Sequence, residues 1–166
     1  MIHPSEISKL AHGLGLGDKT IEKDYVLTWI LLAIANFPLS DHIAFKGGTA
    51  IKKIYLPEYR YSEDLDFTLI EPQLTNADLQ SSIEGLFPWL ARAANISLET
   101  RRVEAHASGN PTIYLNYVGP LQGSLRSRFL KVDFSRDETL VFPTQRRKVL
   151  SPYSDSRELE SILVVY

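Results

Sequence analysis

The chain has 166 residues, 44 % of them hydrophobic, and a formal net charge of −2. That fits one domain of ordinary size with a packed core, and argues against both disorder and a nucleic-acid binder acting through bulk positive field. It contains no cysteine, which excludes disulfides, thiolate metal sites and cysteine nucleophiles and leaves the cytoplasm as the default compartment.

The opening MIHPSEISKL is neither basic nor followed by an apolar stretch of signal-peptide type, so no secretory address is expected. HPSEISKLAHGLGLG predicts a short helix with Pro4 in its first turn and a stop among the glycines of 13–17. GLGLG resembles half a dinucleotide fingerprint, but no strand precedes it and the final glycine spacing is wrong, so a helix terminus explains it. From Thr20 on, Ile21, Val26, Trp29, Ile30, Ala33 and Phe37 fall mostly at helical spacing, with Asp18 or Thr20 as N-cap and Pro38 as the stop. The apolar stretch over 25–37 is shorter than the roughly 18 residues that span a bilayer, and reads as a core helix with no membrane partner.

HIAFKGG then predicts a strand and a turn, and TAIKKIY a helical arm closed by Pro57. DLDFTLI, over 64–70, is rich in strand formers; its period of two sets Asp64 and Asp66 on one face and Leu65 and Phe67 on the other. TNADLQSSIEGLFPWLARAA carries Leu79, Ile83, Leu86 and Leu90 at helical intervals, starts at Thr75 and Asn76, and is expected to bend near Pro88. ISLETRRVEA, TIYLNYV and RFLKVDFSR read as three successive strands joined by the turn signals SGNP and GPLQGS. The tail holds the basic cluster Arg146, Arg147 and Lys148 and ends in a strand-like apolar run. These elements predict an α/β (α+β) fold, a mixed β-sheet flanked by helices. They form a single domain over 1–166, with a helical lead-in (1–40), a core (41–140) and a tail (141–166).

The chemistry concentrates in FKGGTAIKKIYLPEYRYSEDLDF. A glycine pair lets a bulky anion approach its amides, and a helix starting at Thr49 would aim its free N–H groups at the same place, which makes a phosphate cradle. Two carboxylates on one strand face lie about 6 to 7 Å apart at their Cα atoms, an arrangement that repulsion disfavours unless a cation such as magnesium joins them. Together these are the parts of two-metal phosphoryl or nucleotidyl transfer, and Asp133 in LKVDF offers the third carboxylate such sites often use. Lys131 would share the face of Asp133. Read singly, the glycine pair is an ordinary loop and DLD a solvated strand end. Of Lys52 and Lys53, Lys52 lies one turn beyond Gly48 and is placed to reach a phosphate. Arg60 either contacts the nucleotide or solvates the surface, and Ser62 steadies the loop or contacts the nucleotide. His3, His12, His42 and His106 show no metal-ligand spacing, and no serine sits in a nucleophile elbow.

FKGGTAIKKIY followed by RYSEDLDF resembles the signature of the AbiEii/AbiGii toxin family, nucleotidyltransferases of the DNA polymerase beta-like superfamily that act in bacterial abortive infection and toxin–antitoxin pairs. The upstream IEKDYVLTWIL and the downstream LKVDFSRDE are similar to that family as well. The resemblance implies a nucleotidyltransferase-like fold that transfers NMP from an NTP substrate to a hydroxyl of RNA, tRNA included, or of protein, with a cognate antitoxin as partner. It implies that Gly47, Gly48 and Thr49 take the nucleotide phosphates, and that Asp64 and Asp66 ligate Mg2+ or Mn2+. Asp133 matches the third carboxylate, and Arg60 and Ser62 the arginine and serine before the acid pair. Family members continue into a helical portion bearing an EK lysine and an RD…YD-like aspartate, and this sequence ends at Tyr166 before either. The alternative expectation is a shortened, non-catalytic relative that binds a nucleotide or an antitoxin.

Overall fold

The computed structural model describes residues 1–71, 73–156 and 161–165; positions 157–160 and 166 of the expected tail lie outside the described residues. Two helices lead in, α1 (Pro4–Leu14) and α2 (Asp18–Ala35). Pro4 occupies the first turn of α1, where its missing N–H is not needed, and Gly15 closes the helix at φ 67°. Gly17, rather than Asp18 or Thr20, stands at the N-cap of α2. The Asp18 carboxylate instead accepts from Ser8 Oγ at 2.5 Å, binding the two helices together.

The sheet follows: β1 (Ile43–Lys46), β2 (Asp64–Leu69), β3 (Ser97–Ala105), β4 (Pro111–Val118), β5 (Phe129–Ser135), β6 (Gln145–Lys148) and β7 (Ser161–Val164). Among the described residues it has seven strands in the order β3-β4-β5-β2-β1-β7-β6. β2 pairs with β5 in parallel and β1 with β7 in parallel, while the other neighbours are antiparallel. The sheet is mixed, as the sequence pattern predicts, and the tail joins it through β6 and β7.

Between β1 and β2 the chain makes the short helix α3 (Gly47–Ala50), which widens into a π-helical turn over Ile51–Tyr55. Leu56 N bonds back to the Ile51 carbonyl at 2.8 Å, closing the widened turn. The single helix expected over 75–94 is two: α4 (Asn76–Glu84) and α5 (Phe87–Ala94). Pro88 does not bend a continuous helix. It sits in the first turn of α5, where proline is tolerated and sets a start. Thr75 and Asp78 cap α4 reciprocally.

Strand alternation divides the sheet into two chemically different faces. Leu65 and Phe67 on β2, Val132 and Phe134 on β5, and Ile113 and Leu115 on β4 are fully buried. Phe45, Phe67 and Phe134 lie side by side across β1, β2 and β5, with ring centroids 5.3 and 5.7 Å apart. α2 and α5 join this layer through Trp29 and Trp89, whose rings are 6.0 Å apart. Aromatic neighbours at this spacing add roughly 0.5–1.5 kcal/mol beyond area burial, so the strands that carry the acids have a rigid backing. Among the described residues no helix is long and apolar enough to cross a membrane.

Candidate functional site

On the opposite face, strand register assembles a row of polar side chains. Lys46 pairs with Asp66 across β1 and β2, Asp66 with Asp133 across β2 and β5, and Thr112 with Asp133 across β4 and β5. One pleat away, Asp64 pairs with Lys131, and Lys131 with Tyr114. A separation of two places Asp64 with Asp66, and Lys131 with Asp133, on this same face. The three candidate carboxylates therefore stand on adjacent strands and face the same side.

Burial raises the Asp66 pKa above the usual carboxylate range; Asp133 and then Asp64 raise it further, against the pull of Lys46 and Lys131. Asp64 is bound by the Lys131 ammonium at 2.9 Å, and the same ammonium lies 4.0 Å from Asp133 Oδ2. Asp133 Oδ1 accepts from the Thr112 hydroxyl, which is also 2.9 Å from His106 Nε2.

The glycine turn is fitted to this acid. Gly47 has φ +78°, a left-handed conformation costly for other residues, and a Cβ there would overlap Asp66 Oδ2 and stand 3.0 Å from its Cγ. A Cβ on Gly48 would come within 2.7 Å of Ser62 Oγ and 3.9 Å of an Arg60 Nη. Gly47, Gly48, Arg60, Ser62 and Asp66 are thus neighbours, and the turn leaves its backbone as the surface beside the acid.

Two sequence-predicted residues are committed elsewhere. Thr49 is buried, with its hydroxyl donating to the Asp64 carbonyl at 2.6 Å, so its side chain ties α3 to β2. Lys52 is buried too. Its ammonium donates to the carbonyls of Pro57 (2.7 Å) and Tyr59 (2.9 Å) and lies 3.8 Å from the Tyr61 ring centre. The expectation that Lys52 reaches a phosphate is corrected: it clasps the loop that brings Arg60 and Ser62 to Gly48.

Several residues beside the acids were not singled out from the sequence. Lys46 donates to Ser135 Oγ at 3.0 Å and to Glu138, which also accepts from Thr68. Three consecutive residues of α2 each hold a different element. Glu22 accepts from Arg128 and from Leu121 N, Lys23 bonds Glu63 beside the acid pair at 2.7 Å, and Asp24 accepts from Lys53 and Tyr153 at 2.5 Å each. The only sequence signal for them was the charged EKD triplet at the start of an otherwise apolar helix. A cavity of about 1490 Å3 lies between α1, the 57–61 loop and Leu150; Lys52 and Arg60 line it, but none of the three acids does. The acids stand on an open face.

The donor set suits a hard divalent cation, since it consists of carboxylate oxygens gathered on one face of β2 and β5. Among the described residues no group of three acid or imidazole side chains is already gathered for a metal. Magnesium does not require one, because it characteristically binds through one or two carboxylates and completes its shell with water and substrate phosphates.

Strand-borne acids beside a glycine turn, on a mixed sheet backed by helices, define an α/β domain of nucleotidyltransferase type. The model of the family described as nucleotidyl transferase AbiEii toxin, type IV TA system, matches residues 29–165, and the chain belongs to that family. Its fold is similar to that of MenT4, a nucleotidyltransferase toxin from Mycobacterium tuberculosis H37Rv. The TM-score is 0.70 at 18 % identity, covering 100 % of this chain and 55 % of that one. It is also similar to JHP933 from Helicobacter pylori, with TM-score 0.54 and 17 % identity, covering 90 % of this chain and 53 % of that one. The chain spans about half the length of these two structures. No curated protein matches it.

Proposed function

We propose that this chain carries the catalytic face of a metal-dependent nucleotidyltransferase. It transfers NMP from an NTP to a hydroxyl of RNA, tRNA included, or of protein, as the cytoplasmic toxin of a toxin–antitoxin or abortive-infection pair. The observation that carries the reading is the register that aligns Asp66 with Asp133 while the Gly47 backbone closes against Asp66. Family membership supports it.

In this reading the amides of Gly47, Gly48 and Thr49 bind the triphosphate, and Arg60 and Ser62 border it. Asp64, Asp66 and Asp133 would hold Mg2+ or Mn2+, which when bound neutralises charge developing on the phosphates. The acceptor oxygen forms a bond to the α-phosphorus, the bond to the β-phosphate bridging oxygen breaks, and pyrophosphate leaves. The hydroxyl proton passes to the carboxylate cluster, where Asp133 keeps Oδ2 outside its Thr112 hydrogen bond. A cognate antitoxin would silence the activity.

The test is incubation with α-labelled triphosphates and cellular RNA and protein. Label should enter one acceptor class with wild type, and Asp66→Asn should abolish it while circular dichroism stays unchanged. Undiminished labelling by that variant would refute the assignment. One observation favours a second reading, binding of nucleotide or antitoxin without turnover: the Lys131 ammonium already neutralises part of the acid cluster. Triphosphate binding by calorimetry with no labelling of any acceptor would select that reading.

A further inference from the structure

We propose that Lys131 is a displaceable internal counter-cation: it holds Asp64 and Asp133 together while no metal is bound, and must leave the cluster for a divalent ion to enter. This rests on the metal-binding role proposed above and adds a positioning residue to it.

Three observations support it. First, the ammonium bridges the two strands that supply the acids, 2.9 Å from Asp64 Oδ2 and 4.0 Å from Asp133 Oδ2. A monovalent cation thus sits where the carboxylates of β2 and β5 face one another. Second, the other lysine on the row cannot take its place, because Lys46 is anchored to Glu138 and Ser135 at the far side of Asp66. Third, Lys131 is not enclosed by the fold. Its side chain is 36 % exposed, in contrast to Lys52 and Lys53, and its strand neighbour Tyr114 has its hydroxyl bonded to Glu104. An exposed lysine stem is flexible, and its strongly hydrated ammonium exchanges one anionic partner for another at little cost. An incoming triphosphate is such a partner, so the same movement that frees the acids brings a positive charge to the phosphates.

The experiment measures Mn2+ binding to the whole chain by calorimetry and electron paramagnetic resonance, without nucleotide, for wild type, Lys131→Met, Lys131→Arg and Asp66→Asn. Lys131→Met keeps the length and apolar stem but removes the charge. It should bind Mn2+ about fivefold more tightly or better, the scale of one contact between unit charges about 4 Å apart in water, which the ion has to displace in wild type. Lys131→Arg retains the charge and should stay near wild type, and Asp66→Asn should lose binding.

If Lys131→Met binds Mn2+ no more tightly than wild type while Asp66→Asn loses it, the metal site stands and the counter-cation role is overturned. If neither wild type nor Lys131→Met binds Mn2+, both fall. Should Lys131→Met fail to fold, Lys131→Gln answers the same question, with the same tightening expected and the same absence of tightening overturning the role.

Discussion

The chain contains two lysine–aspartate contacts that differ in almost every physical respect. Lys53 and Asp24 are each only 2 % exposed at the side chain and 2.5 Å apart, with the Tyr153 hydroxyl completing the group. Lys131 and Asp64 are about one-third exposed and lie on an open sheet face. Burial pushes the Lys53 pKa down, against the attraction of Asp24, whereas hydrogen bonding to Asp64 pushes the Lys131 pKa up. Asp24 Oδ1 has no hydrogen-bond partner among the described residues. The sealed pair cannot rearrange without exposing a bare charge in the core; the open pair can exchange partners. The first joins α2, the π-helical turn and the 153 region, and the second lies in the row of acids on the open sheet face.

The largest expected effect breaks the sealed pair. Lys53→Met strands the Asp24 carboxylate and should cost about 3–5 kcal/mol of unfolding free energy, read by urea titration. Lys131→Met should cost under about 1 kcal/mol in the same assay. Equal losses would erase the distinction between the two pairs.

Next in size, Asp66→Asn should take nucleotidyl transfer below detection, a loss of at least roughly 100-fold, the scale for losing one electrostatic partner of the transition state. Its urea midpoint should not fall below wild type.

Gly47→Ala should destabilise by about 1–3 kcal/mol, because it combines a left-handed backbone with a clash, and should displace Asp66 as it does so. Differential scanning calorimetry and the labelling assay together check it, and a fully stable, fully active variant would contradict the close fit of turn to acid.

The smallest effect is in pH. Because the folded-state pKa of Asp66 is raised, the native protein binds more protons than the unfolded chain between the two pKa values, and stability falls as pH rises through that window. In metal-free buffer the Asp66→Asn variant should lose that component, so its melting temperature should decline less than that of wild type from the unfolded carboxylate range upward.

The site was legible in the sequence where local periodicity decides direction. The alternation of DLDF and KVDF puts Asp64, Asp66 and Asp133 on faces that the sheet then aligns. The glycine pair was legible for the same reason: only a small set of residues accepts the φ observed at Gly47. What stayed hidden depends on partners distant in the chain. Lys52 and Lys53 are adjacent in sequence, yet one clasps the 57–59 carbonyls and the other pairs with Asp24, and the π-helical turn that carries both has no simple periodic signature. Glu22 and Asp24 look like the solvated start of a helix, but they are buried because Arg128 and Lys53 reach them. The division of the 75–94 helix was misread because a proline within an apolar period marks either a bend or a new start.

β2 and β5 are parallel neighbours, so α4, α5, β3 and β4 are all made between the first two acids and the third. During synthesis, a ribosome that has finished β2 has produced a glycine turn and two acids with no strand to complete them. The row of three acids is completed only once β5 has cleared the exit tunnel and inserted beside β2.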